Sequence, residues 1–562
     1  MAAPAAPLIL VALALTSLAR ADSDDPRLRA RELVRQAAEL SKAEQYDEAL
    51  ERLREAQELA PDYAPAQSWL AHVYELTGQK EQALTHIAAL LSLEPADEYG
   101  RAAARRLFYQ PPFPRTLNRA MLAVSPIEFT VDSCALGEDR VPGFPQRLAI
   151  CYTTSPKFPE DAGEGGAVRE RSLPLADPQA PRERFNRVVY GYVEAPGTGD
   201  LQLRTIAYYP STLLSGHETD LGPLVQSLVH VMLRIECYAS GYLGLPPQGD
   251  PEGINRLWLC QSGEAGAERH DTDIFIYRVL GEERTPIEWV RQLAHECGHL
   301  LIPGIGGFAQ PEVWGNGELG ERLFIYFLTR ESARVAGAQW PSDEAAARLD
   351  ALWIGGHLAA EEYLAAAGRM PLSVWAGEGP ESELIVGQGE RSMQYYVGFA
   401  LYVLGAHGPG GLREVIKGCP GTTVPDFIYS YKQTVTARAE TGPLSIAPGG
   451  YDRSASKLSQ PPPAADLTPE RLTLAGGDTV TYPVFLPTGQ WWLELVGGND
   501  AGATTALVSF DGSAEAQVKV GAGKRTPIGP LTEGWHRLQL RAPAEAQPIV
   551  LTSIVFGQGQ AA

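Results

Sequence analysis

Thr285–Pro303 reads TPIEWVRQLAHECGHLLIP, and a short loop later Trp314–Glu321 reads WGNGELGE. The first stretch carries the marks of a helix. Thr285 with Glu288 three residues on forms a capping box, Pro286 takes the first helical position, and Pro303-Gly304 ends the run. Ile287, Val290, Ala294, Cys297 and Leu301 fall on one apolar face. His295 and His299, four apart, then project from one side of the helix, where both imidazoles can reach a single metal ion. Glu296 stands beside them, able to take a proton from water. In the second stretch Asn316 caps a helix whose Leu319, Leu323 and Phe327 turn to the core. A catalytic metal needs a third protein ligand and one open position. Glu312 in the loop and Glu318 and Glu321 on the second helix are the acidic side chains near enough in sequence.

His-Glu-x-x-His followed by eighteen residues and Glu318 resembles the gluzincin zinc peptidases of the aminopeptidase N kind. In that family an Asn-Glu-Gly segment at the start of a helix supplies the third ligand. Here the chain reads Asn316-Gly317-Glu318, with one residue inserted between Asn and Glu. The resemblance spans about residues 215–435 and implies a zincin-like metallopeptidase core. It implies one zinc ion per chain held by His295, His299 and Glu318, with Glu296 as general base. It also implies an oxyanion donor from a later helix, where Tyr395 and Tyr396 stand, and a substrate main chain paired along an edge strand at Asp273–Val279. The Gly-x-Met-Glu-Asn segment with which aminopeptidases anchor a free amine is absent, so the activity implied is that of an endopeptidase. The metzincin pattern is absent too, because Ile305 occupies the place of its third histidine.

Around this centre the sequence divides into a multidomain α+β chain. Residues 1–21 have the layout of a secretory signal peptide, an apolar run closed by Ala19-Arg20-Ala21, and predict cleavage after Ala21 into a secreted or periplasmic protein. Residues 22–108 are helical with an internal period: Ala49, Leu50, Leu59 and Pro61 recur 34 positions later as Ala83, Leu84, Leu93 and Pro95. That period resembles tetratricopeptide repeats, which implies either a surface for a protein partner or a small module docked on its neighbour. Residues 109–214 alternate β-branched and aromatic residues between Pro/Gly loops, a β-rich segment. Residues 215–436 hold the peptidase-like core, 437–466 read as a Pro/Gly/Ser linker, and 467–562 as a C-terminal β-sandwich.

A formal net charge of −21 with no basic block excludes a nucleic-acid partner. No apolar stretch in the remainder is long enough to span a membrane. A peptide or protein substrate is the partner that the gluzincin resemblance implies. Six cysteines without a C-x-x-C pair argue against a thiolate zinc site, and Cys134–Cys151 and Cys237–Cys260 are candidate disulfides. Trp491, Trp492 and Trp535 offer a sugar-binding face on the C-terminal domain, weighed against burial in its core. His217 and His270 are the other histidines near the centre in sequence. The competing expectation for the whole chain is an inactive zincin-fold scaffold that binds peptide or carbohydrate through its repeat and sandwich modules.

Overall fold

The computed structural model describes residues 25–108, most of 115–308, 312–335 and most of 390–559. The signal-like run, Cys134 and Thr285 lie outside the described residues. The chain opens with five helices, α1 (Pro26–Lys42), α2 (Tyr46–Leu59), α3 (Ala64–Leu76), α4 (Lys80–Leu93) and α5 (Glu98–Phe108). Their packing follows the 34-residue period: Ala49 and Ala83, and Leu50 and Leu84, are buried at equivalent places in α2 and α4. Each helix pair turns through a residue with left-handed backbone. Gly78 (φ +71°) serves between α3 and α4, while its equivalent between α1 and α2 is Glu44 (φ +60°), a conformation that costs a side chain about 1 kcal/mol or more.

Lys80, the first residue of α4, buries its Nζ without a hydrogen-bond partner. Burial pulls its pKa from 10.5 down to about 7. Between those values the unfolded chain holds a proton that the folded chain has released, so this residue makes stability rise as pH climbs from about 7 to about 10.5. Lys80→Met is expected to raise protection of the α4 amides against hydrogen exchange at pH 7 by about 1 kcal/mol, reduced from the full linkage value because the amine is partly solvated. It should also flatten their rise in protection toward pH 10; unchanged protection would mean the amine finds a partner in solution.

Twelve strands follow: β1 (Thr116–Leu117), β2 (Ile127–Ser133), β3 (Arg147–Thr153), β4 (Arg169–Ser172), β5 (Arg182–Phe185), β6 (Arg187–Glu194), β7 (Leu201–Tyr209), β8 (Thr212–Leu214), β9 (His217–Thr219), β10 (Asn255–Leu259), β11 (Gly266–His270) and β12 (Asp273–Tyr277). Eight of them make one mixed sheet in the order β11-β12-β10-β7-β6-β3-β2, with β1 on β7. Strand β10 runs parallel to β7 and to β12, and β11 antiparallel to β12. The expected division at residue 214 therefore does not separate two bodies. Strands from both sides of it share a hydrogen-bonded ladder, Asn255 to Trp258 pairing with Thr205 to Tyr208.

Period-two alternation gives the sheet two apolar faces. Val189, Leu257, Leu259, Ile274 and Ile276 face helices α6 (Gly222–Gly241) and α7 (Pro286–Leu301). Tyr190, Tyr192, Trp258, Phe275 and Tyr277 form one cluster with the core of α1–α5. The helical repeats are thus docked on the sheet, the second of the two readings of the sequence. The same alternation disposes of one expected disulfide. Cys237 on α6 and Cys260 after β10 lie in the clusters on opposite sides of the sheet, and no bridge joins them.

Helices α8 (Asn316–Val335), α9 (Glu390–Gly418, kinked at Gly408) and α10 (Val424–Thr441) complete the central layer. The first part of the expected linker at 437–466, through Asp452, is instead packed structure. Helix α10 runs through Thr441, β13 (Leu444–Ile446) joins the C-terminal sheet, and Tyr451 and Asp452 are buried. Strands β14 (Leu472–Leu474), β15 (Thr479–Leu486), β16 (Gly489–Gly497), β17 (Thr504–Phe510), β18 (Ala516–Val520), β19 (Arg525–Leu531), β20 (Gly534–Arg541) and β21 (Ile549–Gln558) make, with β13, a nine-stranded sheet that is almost wholly antiparallel. Alternate residues of β15 (Val480, Tyr482, Val484, Leu486) enter its core. Phe485 points the other way and lies beside Tyr431 of α10, whose ring stacks on Trp535 at 5.6 Å. Tyr402 of α9 donates to the Pro483 carbonyl at 2.6 Å. Trp491 and Trp492 are buried and Trp535 is packed at this contact, which removes the expected sugar-binding tryptophan face.

Candidate metal centre

Helices α7 and α8 cross in backbone contact. A Cβ on Gly298 would overlap the Asn316 carbonyl, and one on Gly320 would overlap the Gly298 Cα, so two facing glycines set the distance between the helices. That approach lays the first turn of α8 over the histidines of α7. A Cβ on Gly317 would stand 2.5 Å from His295 Nε2 and 2.5 Å from His299 Nε2. The space a side chain would fill in any other residue is thus kept open directly above the two imidazoles.

The imidazoles are aimed into that space by their other nitrogens. Asn316 donates from Nδ2 to the Ile302 carbonyl at 3.0 Å, which turns its Oδ1 to His299 Nδ1, also at 3.0 Å. Glu321, almost fully buried and paired with Arg291 at 2.8 Å, lies 3.5 Å from His295 Nδ1. With Nδ1 donating in both rings, the two Nε2 atoms, 3.1 Å apart, would offer lone pairs to a cation that displaces their proton. Partners of this kind orient metal-binding histidines.

The third donor comes from the loop. Glu312 Oε1 accepts from the Trp314 amide at 3.1 Å, and Oε2 lies 3.3 Å from His295 Nε2 and 3.5 Å from His299 Nε2. A tetrahedral zinc with bonds of 2.0–2.2 Å separates its ligand atoms by about 3.3–3.5 Å. The three edges of the His295–His299–Glu312 triangle (3.1, 3.3 and 3.5 Å) match that spacing, and the donor set of two imidazoles and a carboxylate suits the ion. Glu318, the ligand expected from the sequence, is placed differently. It falls in a second group that could hold a metal, with His295 and Glu321, and pairs with Arg322 at 3.6 Å. One residue along a helix turns the side chain by about 100°, so with Gly317 over the metal position Glu318 is swung away and Glu321, four residues on, returns beside the histidines. These two are the candidate metal groups among the described residues.

The electrostatics are those of a site short of positive charge. Burial pulls the His295 imidazole toward its neutral form, but hydrogen bonds to Glu312 and Glu321 outweigh it and raise its pKa to about 10. Burial opposes ionisation of Glu312, yet the two histidines hold it well below the usual carboxylate range. Burial raises Glu296, which lies 5% exposed beside the histidines, and also raises Glu318, there with help from Glu321. Below α7, Cys297 is a buried core residue, its thiol pushed up by burial and by Glu236 of α6.

Other expected site residues fall elsewhere. Tyr396 is buried between Phe308 (5.9 Å) and Phe427 (5.3 Å), and its electrostatic neighbour is Cys419, so it belongs to the core behind the loop. The Tyr395 and His217 side chains lie outside the described residues. His270 pairs with Glu268 at 3.4 Å on β11. The edge of the sheet is β11, not Asp273–Val279, because β12 is covered on that side by the β11 hairpin partner. Arg269 of β11 donates to the His299 carbonyl at 2.8 Å, which ties this edge to the metal helix.

Among protein families, the tetratricopeptide repeat matches residues 40–107. The N-terminal helices are tetratricopeptide-like repeats. These repeats are the part that packs on the sheet. No curated protein matches the chain. Among solved structures, the Podospora anserina GH26-CBM35 β-(1,4)-mannanase is similar at 16% identity and TM-score 0.17, over 22% of this chain and 28% of that one. The exo-β-1,3-galactanase of Phanerochaete chrysosporium is similar at 19% identity and TM-score 0.13, over 15% of this chain and 26% of that one. The mannan binding module from Man5C is similar at 16% identity and TM-score 0.14, over 19% of this chain and 95% of that one. The chain thus spans about a quarter of the first two structures. None of these values is high enough for a shared fold to follow.

Proposed function

We propose that this chain is a zinc-dependent endopeptidase of zincin type, with one zinc ion held by His295, His299 and Glu312. The observation that carries this reading is the His295–His299–Glu312 triangle under the gap left by Gly317. Zinc held there would polarise a peptide carbonyl and acidify a water. Glu296 would take the proton from that water and deliver it to the leaving amine. Its raised pKa suits both halves of the task. The outer edge of β11 offers main-chain hydrogen bonds to an extended substrate beside the metal helix. Support for export comes from the apolar run and small-x-small site before residue 22. No helix among the described residues is long and apolar enough to cross a membrane.

Zinc content and cleavage of an unfolded protein, measured on the mature chain and on Glu296→Gln, test the proposal. About one zinc per chain in both proteins is expected, with turnover about a thousandfold lower in Glu296→Gln. Equal turnover in the variant would remove Glu296 from the chemistry. A chain that binds zinc and cleaves nothing would be the inactive scaffold instead, and a chain that binds no zinc would overturn the metal centre itself.

A further inference from the structure

Trp314 is a large aromatic side chain left 44% exposed, and it sits in the middle of the metal-site loop. It follows Glu312 by two residues and precedes Gly317 by three. Its backbone is held firmly: it bridges to Gly306, its amide donates to Glu312 Oε1, and the next amide, Gly315, donates to the Ile305 carbonyl at 2.7 Å. Gly306 in turn donates to the Thr422 carbonyl at 2.8 Å, pinning the loop to the start of α10. The indole lies on a glycine floor, where a Cβ on Gly304 or Gly306 would come within 3.0 or 2.8 Å of its Cε3. A rigid indole with one face on backbone and the remainder exposed is a preformed apolar surface, and its ordering entropy is already spent. The other exposed large apolar side chains among the described residues, Leu28, Leu76, Leu93 and Tyr429, lie on α1, α3, α4 and α10 rather than on this loop.

We propose that Trp314 is a specificity platform that receives an aromatic or long aliphatic side chain of the substrate next to the peptide bond at the metal. The inference rests on the reading of the centre as a site for peptide substrates and adds which sequences it selects. Glu312 joins the two roles, because one of its oxygens fixes the Trp314 amide while the other faces the histidines. An apolar residue flanking the scissile bond is a mark of segments that are buried in folded proteins, so selection at Trp314 directs the enzyme to unfolded chains.

The test uses the zinc-loaded full chain carrying Glu296→Gln and dye-labelled decapeptides that differ at a single position, occupied by Phe, Leu, Ala or Asp. Binding is read by fluorescence anisotropy. Phe and Leu peptides are expected to bind about tenfold or more tightly than Ala and Asp peptides, from the apolar area covered. Trp314→Phe should keep most of that preference, and Trp314→Ala should erase it with zinc content unchanged. Trp314→Gln, which still covers the glycine floor but has no aromatic face, should also erase it and serves if the alanine variant loosens the loop. Preference that survives in a zinc-replete Trp314→Ala or Trp314→Gln protein overturns the proposal, as does absence of preference in the parent. Cleavage by the wild-type chain is scored separately. Apolar peptides bound through Trp314 but never cut would keep this inference and overturn the peptidase reading.

Discussion

Glu312→Ala is expected to empty the metal centre, whereas Glu318→Ala should leave zinc in place. Glu312 is the carboxylate whose oxygen completes the triangle with the two Nε2 atoms, and its other oxygen is tied to the Trp314 amide, so it is oriented before an ion arrives. Loss of one protein ligand removes on the order of a quarter of the ~10–16 kcal/mol with which four ligands hold zinc, or about a hundredfold to a thousandfold in affinity. Glu318 groups with His295 and Glu321 rather than with the two Nε2 atoms and Glu312, and pairs with Arg322. Its removal relieves repulsion with Glu321 as much as it removes negative charge. Competition against a chelating dye, with metal analysis of the purified proteins, separates the two. If Glu318→Ala loses zinc and Glu312→Ala keeps it, the ligand is the one the family resemblance implies, and the first turn of α8 must rotate when the ion binds.

Gly317→Ala is expected to be as damaging as loss of a ligand, although it removes nothing. The added methyl would lie 2.5 Å from both imidazole Nε2 atoms, well inside contact distance, so it competes for the volume of the ion. Helix α8 cannot move back to make room without opening its contact with Gly298, and the histidines cannot turn without breaking their bonds to Asn316 and Glu321. Alanine favours the helical backbone over glycine by about 1 kcal/mol, which offsets part of the cost of the shift that the methyl forces. The expected result is a folded protein by circular dichroism, with zinc affinity lowered on the order of a thousandfold. Normal zinc affinity in Gly317→Ala would show that the first turn of α8 does not lie over the metal position.

The length and apolar face of α7 were legible because they are local: Pro286 at its start and Pro303-Gly304 at its end act within a few residues, and Val290, Ala294, Cys297 and Leu301 repeat at helical spacing. The same holds for the repeats, where Ala49 and Ala83 return at a fixed period, and for the alternation of β15. Where the sequence misled, a polar or glycine-rich composition stood for something packed. Residues 437–466 look like a linker, yet β13 pairs with β21 and Asp452 is enclosed. Trp491 and Trp492 look like a binding face, yet Trp491 enters the core and Trp492 is buried with the Arg525 guanidinium over its ring.

The sequence by itself determined that two imidazoles and a carboxylate stand on one turn of a helix, because a spacing of four residues has one meaning on a helix. It did not determine which acid faces them. The third donor belongs to a different segment, and its choice depends on how closely α8 approaches α7 and at what rotation. Gly298 and Gly320 decide that approach by having no side chains to hold the helices apart. Once the helices touch there, Gly317 comes over the histidines, Glu318 turns aside, and Glu312 reaches in from the loop. The tertiary structure decided which carboxylate stands beside the two Nε2 atoms, since a contact between two backbones leaves no periodic trace in the chain.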